Sequence, residues 1–503
     1  MVYGCSFIYV VRGGVGSYSI RINRRLRFVL REWSIYIGVV VKMYVEDTIA
    51  AISTPPGTGG IGIIRVSGKD AIDIVKKIFV TPKKKDLCKV KSHTIHYGHI
   101  HQLESRQIID EVLVSVMKKP HTYTCEDIVE INCHGGIVST RNVLEEVLRS
   151  GARLAEAGEF TKRAFLNGRV DLVQAEAIID IIRSKTNVEL DSAVHQLEGS
   201  LSSEITGIRG ELINLAAHLQ AAVDFPEDDI RELSPEVLKQ SLEKIKKRMD
   251  HLIQTADMGK IIRDGLSTVI IGKPNVGKSS LLNALVRDKR AIVTEIPGTT
   301  RDIIEEYVNI KGVPLKIVDT AGIRETDDIV ERIGVEKSKE FVQKADLVIL
   351  LLDGSEALNE NDKEIIRLVK NKKVIVLINK ADMEMKIDYA YVKQRFKEDV
   401  VFSISVKEGN GLEKLEDTIR EMFFGGEIDV AHDIVITNVR HKDSLIKARQ
   451  SIENGLNSVI IGMPTDMISI DIKDTIENLG EIVGLTVSEE IVDRIFEEFC
   501  LGK

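Results

Sequence analysis

Four short motifs, in fixed order, carry the chemistry of this chain. GKPNVGKS, Gly272 to Ser279, fits GxxxxGK[ST] between a β-prone run and a helical one. A loop of this kind wraps phosphates with backbone N–H groups, here those of Asn275, Val276, Gly277, Lys278, Ser279 and Ser280. Lys278, the candidate catalytic cation, reaches the outer phosphates, and Ser279 offers its hydroxyl to Mg²⁺. The second element is GTTRD, with Thr299 and Thr300; these and the residues just before them, Thr294, Glu295, Ile296, Pro297 and Gly298, are candidate nucleotide contacts. DTAG follows at Asp319, Thr320, Ala321 and Gly322, and NKAD closes the series at Asn379 to Asp382. A glycine turn with a chance lysine would explain the first motif but not the other three behind it.

NKAD selects the base. The Asp382 carboxylate can accept from both N1–H and the exocyclic amine of guanine, a donor pair that adenine lacks. An unsatisfied charged acceptor costs about 1–3 kcal/mol or more, enough to discriminate roughly tenfold to several-hundred-fold. Asn379 and Lys380 are expected to brace that loop, and Ser405 in SVK to place a backbone amide near the guanine carbonyl. One departure stands out in DTAGIRE: after the glycine, where many guanine-nucleotide switches keep a water-aiming glutamine, this chain has Ile323. Hydrolysis needs a positioned water and neutralised charge, and neither task requires glutamine.

These motifs must be held by several domains, because 503 residues exceed what one core usually supports. With 43% hydrophobic and 29% charged residues the chain is globular, neither disordered nor fibrous. A net charge of -8 leaves any nucleic-acid contact to a local basic patch. Five scattered cysteines (Cys5, Cys88, Cys125, Cys133, Cys500) without a CxxC pair argue against a disulfide framework and a Cys-rich zinc site. His134 beside Cys133 in CHGG has no second pair at ligand spacing and reads as part of a glycine turn. Residues 1 to 42 are arginine-rich with the single acid Glu32; an upstream start with Met43 opening the fold competes with a mitochondrial transit peptide. The apolar run Ile35 to Val41 is too short to cross a bilayer, which takes about 20 residues. No membrane role is expected, and a reducing cytoplasm fits best.

From Asp47, DTIAAIST and IGIIRVSG flank a Pro/Gly turn, followed by the helical KDAIDIVKKIF, strands at Ile108 to Met117 and Ile128 to Cys133, and a helix at Ile137 to Arg149. That is an α+β domain. Phe160 to about Lys260 has apolar residues at helical spacing. Strand and helix then alternate: strands at Ser267 to Ile271, Leu315 to Asp319, Leu347 to Asp353 and Val374 to Asn379, helices at Ser279 to Leu285, Ile333 to Gln343 and Lys363 to Lys370, which implies a parallel α/β sheet. After Gly426 the chain is again mostly helical, so the economical reading is a split helical domain with the α/β domain inserted. GTGGIG, Gly57 to Gly62, formally satisfies GxGxxG, and Gly57 to Gly60 the KH-type GxxG, but a strand follows rather than a helix and a glycine turn is expected. KKK at Lys83 to Lys85 reads as a solvated loop.

With these residues in view, the chain from Asp47 to Lys503 resembles the MnmE (TrmE) family of tRNA-modifying GTPases. The resemblance implies five segments: an extension, 1–42; an N-terminal folate-binding dimerisation domain, 43–160; a first helical segment, 161–262; a P-loop G domain, 263–426; and a second helical segment, 427–503. It implies a K⁺ ion held by the Asn275 side chain and by carbonyls of Thr294, Ile296 and Thr299, where other GTPases use an arginine finger worth roughly 10³–10⁵ in rate. It makes Thr300 the second Mg²⁺ ligand beside Ser279, Glu331 in VERIG the catalytic water-positioning acid, and Arg301, Asp302 and Arg324 switch residues. Arg65, Glu130, Arg169 and Lys503 match positions that hold a tetrahydrofolate derivative (5-formyl or methylene): cations suit its glutamyl tail and a carboxylate its pterin edge. Thr58 departs from the family's turn arginine. FCLGK is close to the family's CIGK ending and raises Cys500 as a catalytic group, against the plainer reading of a small buried apolar residue. A prenylation box is disfavoured by Gly502 and Lys503. The resemblance further implies GTP hydrolysis coupled to aminomethyl-type modification of the wobble uridine of tRNA, a homodimer, and a heterotetramer with an MnmG-like flavoprotein. Rival readings are a ribosome-assembly GTPase of the Era or Der type, which would carry a KH module or a second G domain, and a folate-sensing scaffold with structural GTP.

Overall fold

The structure, a computed structural model, describes residues 47–224, 234–287, 306–318, 341–397, 400–424 and 434–503. Contacts divide the chain into two units, one of residues up to Lys118 with Glu126–Leu154, the other of Lys119–Cys125 with Ala155–Lys503.

The first unit is a seven-stranded sheet in the order β3-β4-β5-β6-β2-β1-β7. Its strands are β1 (Ile49–Ile52), β2 (Ile61–Ser67), β3 (Phe79–Val80), β4 (Thr94–His101), β5 (Ile108–Met117), β6 (Ile128–His134) and β7 (Arg153–Leu154). Alternation along β5 turns Val112, Val114 and Val116 into the core. There they meet helix α1 (Ala71–Ile78), which buries Ile74, Val75 and Ile78 at helical spacing, and helix α2 (Ile137–Arg149), which buries Val143 and Val147. β2 follows the Pro/Gly turn directly, so GTGGIG opens no helix. Gly59 N–H donates to Gly135 O at 3.0 Å, tying this turn to CHGG, while His134 Nδ1 lies 2.6 Å from Asp110 Oδ1. No cluster of metal-ligating side chains occurs among the described residues.

The second unit contains a helical bundle and a six-stranded sheet. Helices α3 (Glu159–Leu166), α4 (Leu172–Arg183), α5 (Asn187–Leu197), α6 (Ser200–Asp224) and α7 (Pro235–Asp264) precede the sheet. The sheet comprises β8 (Leu266–Ile271), β9 (Glu306–Ile310), β10 (Val313–Ile317), β11 (Leu347–Asp353), β12 (Val374–Asn379) and β13 (Val401–Ser403), with helices α8 (Lys278–Arg287), α9 (Glu360–Val369), α10 (Tyr389–Lys393) and α11 (Leu412–Phe424) among them. Helices α12 (Val439–Ile460), α13 (Thr465–Val483) and α14 (Glu489–Glu497) follow. The strand order is β13-β12-β11-β8-β10-β9, parallel except for β9. Every residue of β11 and β12 is buried, as expected of strands covered on both faces.

One core joins the helices from both sides of the sheet in sequence: Leu212, Leu242, Ile245 and Met249 pack with Leu445, Ile452, Ile472 and Leu479. The crossing is close. A Cβ at Gly259 of α7 would lie 2.0 Å from the Ile436 carbonyl oxygen, so only glycine fits there. α7 then turns into β8 through Gly265, at φ +78°.

A buried ion cluster ties the two helical segments together. Glu176 on α4 accepts from Arg440 Nε and Nη2 at 3.0 and 2.8 Å and lies 2.7 Å from His441 Nε2. Arg440 Nη1 also donates to Glu481 O at 2.6 Å, holding the end of α13. Burial pushes the Glu176 carboxyl up, but His441 and Arg440 more than reverse this and hold it at about 2. Burial holds the His441 imidazole below its ordinary value, and Arg440 is the permanent cation of the cluster. Glu176→Ala leaves that partly buried guanidinium without its carboxylate and is expected to cost about 3 kcal/mol, read from the urea midpoint of the helical circular dichroism. In the wild type the carboxylate's contribution is present above its unfolded pKa of 4.5 and is lost as pH falls towards about 2. A Glu176→Ala loss below about 1 kcal/mol would show that the cluster is not what joins the segments.

Candidate nucleotide site

The loop after β8 emerges where β8 lies between β11 and β10, at the carboxyl ends of parallel strands. It runs from Gly272 into α8, whose first residue is Lys278. Three positions have positive φ: Gly272 at +156°, Asn275 at +63° and Gly277 at +104°. At Gly277 a Cβ would also stand 2.4 Å from Asn379 Nδ2, so the loop keeps its shape only with glycine there. Lys278 Nζ donates to the carbonyls of Gly272 and Lys273 at 2.8 and 2.7 Å, folded over the same loop that would cradle phosphate. Burial lowers its pKa, a cost that an arriving phosphate would relieve. The side chains of Asn275, Ser279 and Ser280 are exposed, while Val276 is buried.

Asn379, at the end of β12, is the hub. Its Nδ2 donates to Val276 O at 2.7 Å, its Oδ1 accepts from Val406 N at 3.1 Å, and its carbonyl accepts from Gly354 N at 2.8 Å. One buried residue thus braces the phosphate loop, the loop after β13 and the end of β11. Lys380, at φ +64°, reaches Asp353 Oδ2 at 2.5 Å. Asp353 was not anticipated from the sequence. Burial would raise its pKa, but hydrogen bonds from Lys380 and Ser355 outweigh this and lower it. The available signal was an aspartate closing the wholly aliphatic run LVILLL.

Asp382 is exposed, and its Oδ1 accepts from Ser405 Oγ at 2.7 Å, which lowers its pKa and keeps it ionised. The Ser405 amide donates to Asn410 O at 3.0 Å, so what this serine offers the base loop is its hydroxyl rather than its own N–H. Candidate positions Thr294, Glu295, Ile296, Pro297, Gly298, Thr299, Thr300, Asp319, Thr320, Ala321, Gly322 and Glu331 lie outside the described residues. So do Ile323, Arg301, Asp302 and Arg324.

Of the residues considered for folate, Arg65 and Glu130 face each other across β2 and β6, with Nε 2.9 Å from Oε1. Arg169 Nη1 donates to Tyr123 O at 3.1 Å, and its guanidinium lies 4.9 Å from the centre of the Tyr123 ring. The carbonyl of Lys503 accepts from Phe160 N at 3.2 Å, and its N–H donates to Cys500 O at 3.3 Å. Cys500 is exposed, so it is not the buried packing residue that residue type alone suggests. Thr58 is exposed on its turn.

The Ser405 contact has a direct consequence. Ser405→Ala removes the hydroxyl that orients Asp382 and is expected to weaken binding of a fluorescent GTP analogue by roughly tenfold, the scale of one charge-assisted hydrogen bond. Unchanged affinity would mean that the carboxylate is oriented without it.

Two family models match the chain: "GTP-binding protein TrmE N-terminus" over residues 48–169 and "MnmE helical domain" over residues 172–500. A protein of Alkaliphilus oremlandii named tRNA modification GTPase MnmE is 52% identical over 461 residues, 92% of this chain and 100% of its own length. Proteins of the same name from Thermoanaerobacter pseudethanolicus and Bacillus pumilus are 53% and 52% identical, each over 91% of this chain and 100% of their own. The solved structure of Aquifex aeolicus Era overlaps 37% of this chain and 66% of its own at 30% identity, with a TM-score of 0.25 that carries nothing beyond the overlap itself. Matched from residue 48 to residue 500 and more than half identical to full-length relatives, the chain belongs to the MnmE family of tRNA modification GTPases.

Proposed function

We propose that this chain is a K⁺-dependent GTP hydrolase that, with an MnmG-like flavoprotein in a heterotetramer, installs an aminomethyl or carboxymethylaminomethyl group on C5 of the wobble uridine of certain tRNAs. A tetrahydrofolate derivative, 5-formyl or methylene, supplies the one-carbon unit. The observation that carries this reading is the identity to full-length relatives named tRNA modification GTPase MnmE, joined to a phosphate loop and a base loop braced by one asparagine. In this reading the segments are 43–160 for folate and dimerisation, 161–262 with 427–503 for the helical domain, and 263–426 for the G domain. The protein works as a cytoplasmic homodimer; among the described residues no helix is long and apolar enough to cross a membrane.

Each residue has a physical task. Asp382, held by Ser405, accepts from the guanine edge, and Asn379 keeps the base loop and phosphate loop in register. Lys278 exchanges its two loop carbonyls for phosphate oxygens and neutralises charge on the transferred group. Glu331 positions the attacking water in place of the absent glutamine. Ser279 and Thr300 would hold Mg²⁺, and Asn275, Thr294, Ile296 and Thr299 would hold K⁺. The exposed Asn275 carboxamide is a hard oxygen donor that suits such a cation. When bound, the two cations supply the positive charge that stabilises the spreading phosphoryl oxygens. Arg65, Glu130, Arg169 and Lys503 would hold the folate, the Glu130 carboxylate suiting its pterin edge; Cys500 is exposed and able to act as a nucleophile or acid.

GTP turnover is expected to fall by about 10³-fold when NaCl replaces KCl, the lower end of what an arginine finger contributes elsewhere. Equal rates in the two salts would remove K⁺ from the mechanism. Cys500→Ser is expected to keep K⁺-dependent turnover while tRNA nucleosides from cells carrying it, analysed by mass spectrometry, lack the modified wobble uridine. Full modification would leave the thiol without a chemical role.

A further inference from the structure

The first unit presents a concentrated cationic surface that the nucleotide chemistry does not use. Between Lys76 and Lys91 the sequence holds seven lysines against the single acid Asp86, in a chain whose net charge is -8. Lys83, Lys84, Lys85, Lys89 and Lys91 are all exposed, and none makes an ion pair among the described residues. Asp86 is already engaged: Oδ1 lies 2.9 Å from Lys76 Nζ and accepts from Cys88 N. The nearby carboxylate of Asp73 accepts from Cys88 Sγ at 3.3 Å.

This segment is built to present those charges. Lys84 N–H donates to Thr81 O and Lys85 N–H to Thr81 Oγ1, closing a tight turn with Lys84 at φ +46°. A lysine in the left-handed region is strained by about 1–2 kcal/mol, and such strain collects where function needs it. Leu87 is buried as an anchor, the turn Leu87–Lys89 packs on α1, and Lys118, the residue after β5, donates from Nζ to Cys88 O at 2.9 Å. The charge of Lys85 reaches across to His96 on β4, where, after burial, it is the second influence lowering the imidazole's pKa. Lysines from one loop, one helix end and the residue after β5 are therefore gathered at one exposed edge around the turn Leu87–Lys89.

We infer that this edge is a docking surface for the phosphate backbone of RNA. The surface is polyvalent, cationic and unneutralised, which suits a polyanion bound through counterion release. Residues 80–93 contain no Trp, Tyr or Phe to enter a bilayer interface, so a lipid surface is the poorer fit. The identity of the polyanion as tRNA rests on the reading above; the surface itself rests on the lysines.

The test is binding of purified tRNA to the full-length protein, followed by fluorescence anisotropy over a range of KCl concentrations. Replacing Lys83, Lys84, Lys85, Lys89 and Lys91 together by alanine is expected to weaken binding at least about tenfold. It also flattens the salt slope by roughly 0.7 per lost phosphate contact, while tRNA-free GTP turnover is unchanged. The same five positions changed to arginine keep binding, and Lys83→Glu alone, on an exposed side chain, moves it in the same direction as the alanine set. Unchanged affinity and slope overturn the proposal, as does wild-type binding to phosphatidylserine vesicles but not to tRNA. Absence of tRNA binding with K⁺-dependent turnover intact sinks the surface and leaves the GTPase reading standing.

Discussion

The nucleotide side of this protein depends on a single buried carboxamide. Asn379 both donates to the phosphate loop and accepts from the loop after β13, so the two halves of a nucleotide site are set at a fixed distance before any nucleotide arrives. A side chain able to donate and accept at once is required, which excludes aspartate and any aliphatic residue. The same contact explains the glycine before Lys278: a side chain at Gly277 would displace the amide on which the arrangement rests. Lys380 and Asp353 add a second brace on the β11 side, with the carboxylate kept charged by its own hydrogen bonds despite burial.

Beneath the sheet, the helices form a support whose parts are distant in sequence. Glu176 meets Arg440 and His441 across more than two hundred and fifty residues, and one core contains helices from before and after the sheet. α7 runs without a break to Gly265 and β8, and its last turn approaches α4 through Arg263, 3.5 Å from Asp180. α4 in turn packs on the α14 end, where Leu172, Ala175 and Ile179 share a core with Phe496 and Phe499, near the exposed Cys500. The helix that leads into the sheet and the helix that packs near Cys500 are thus neighbours through Arg263 and Asp180.

Strong local patterns were legible. β5, β11 and β12 fall where their β-branched and aliphatic runs place them, Ile108–Met117, Leu347–Asp353 and Val374–Asn379, and α2 runs from Ile137 to Arg149 as its spacing implies. Helix and strand ends elsewhere shift by a few residues: the strand expected at Leu315 to Asp319 is Val313–Ile317, and the helix expected from Lys363 starts at Glu360, where Asn359 and Asp362 make a capping box. β4 was missed because TIHYGHIH mixes histidines with apolar residues on a strand that buries only Gly98 and Ile100. β9 and β13 were missed because short strands depend on their neighbours for pairing. The helix expected from Ile333 falls almost wholly outside the described residues.

The order GKPNVGKS, GTTRD, DTAG, NKAD determined by itself that a guanine nucleotide is the ligand, because backbone cradles and a base-reading carboxylate are local chemistry encoded in a few adjacent residues. The tertiary structure alone decided that Asn379 joins the loops, that Ser405 works through its hydroxyl, that Asp353 anchors Lys380 and that Glu176 pins Arg440. Those are pairings between residues far apart in the chain. No periodicity or spacing records them, and at Asn379, Asp353 and Glu176 they form because burial makes an unpaired polar group too costly to leave alone.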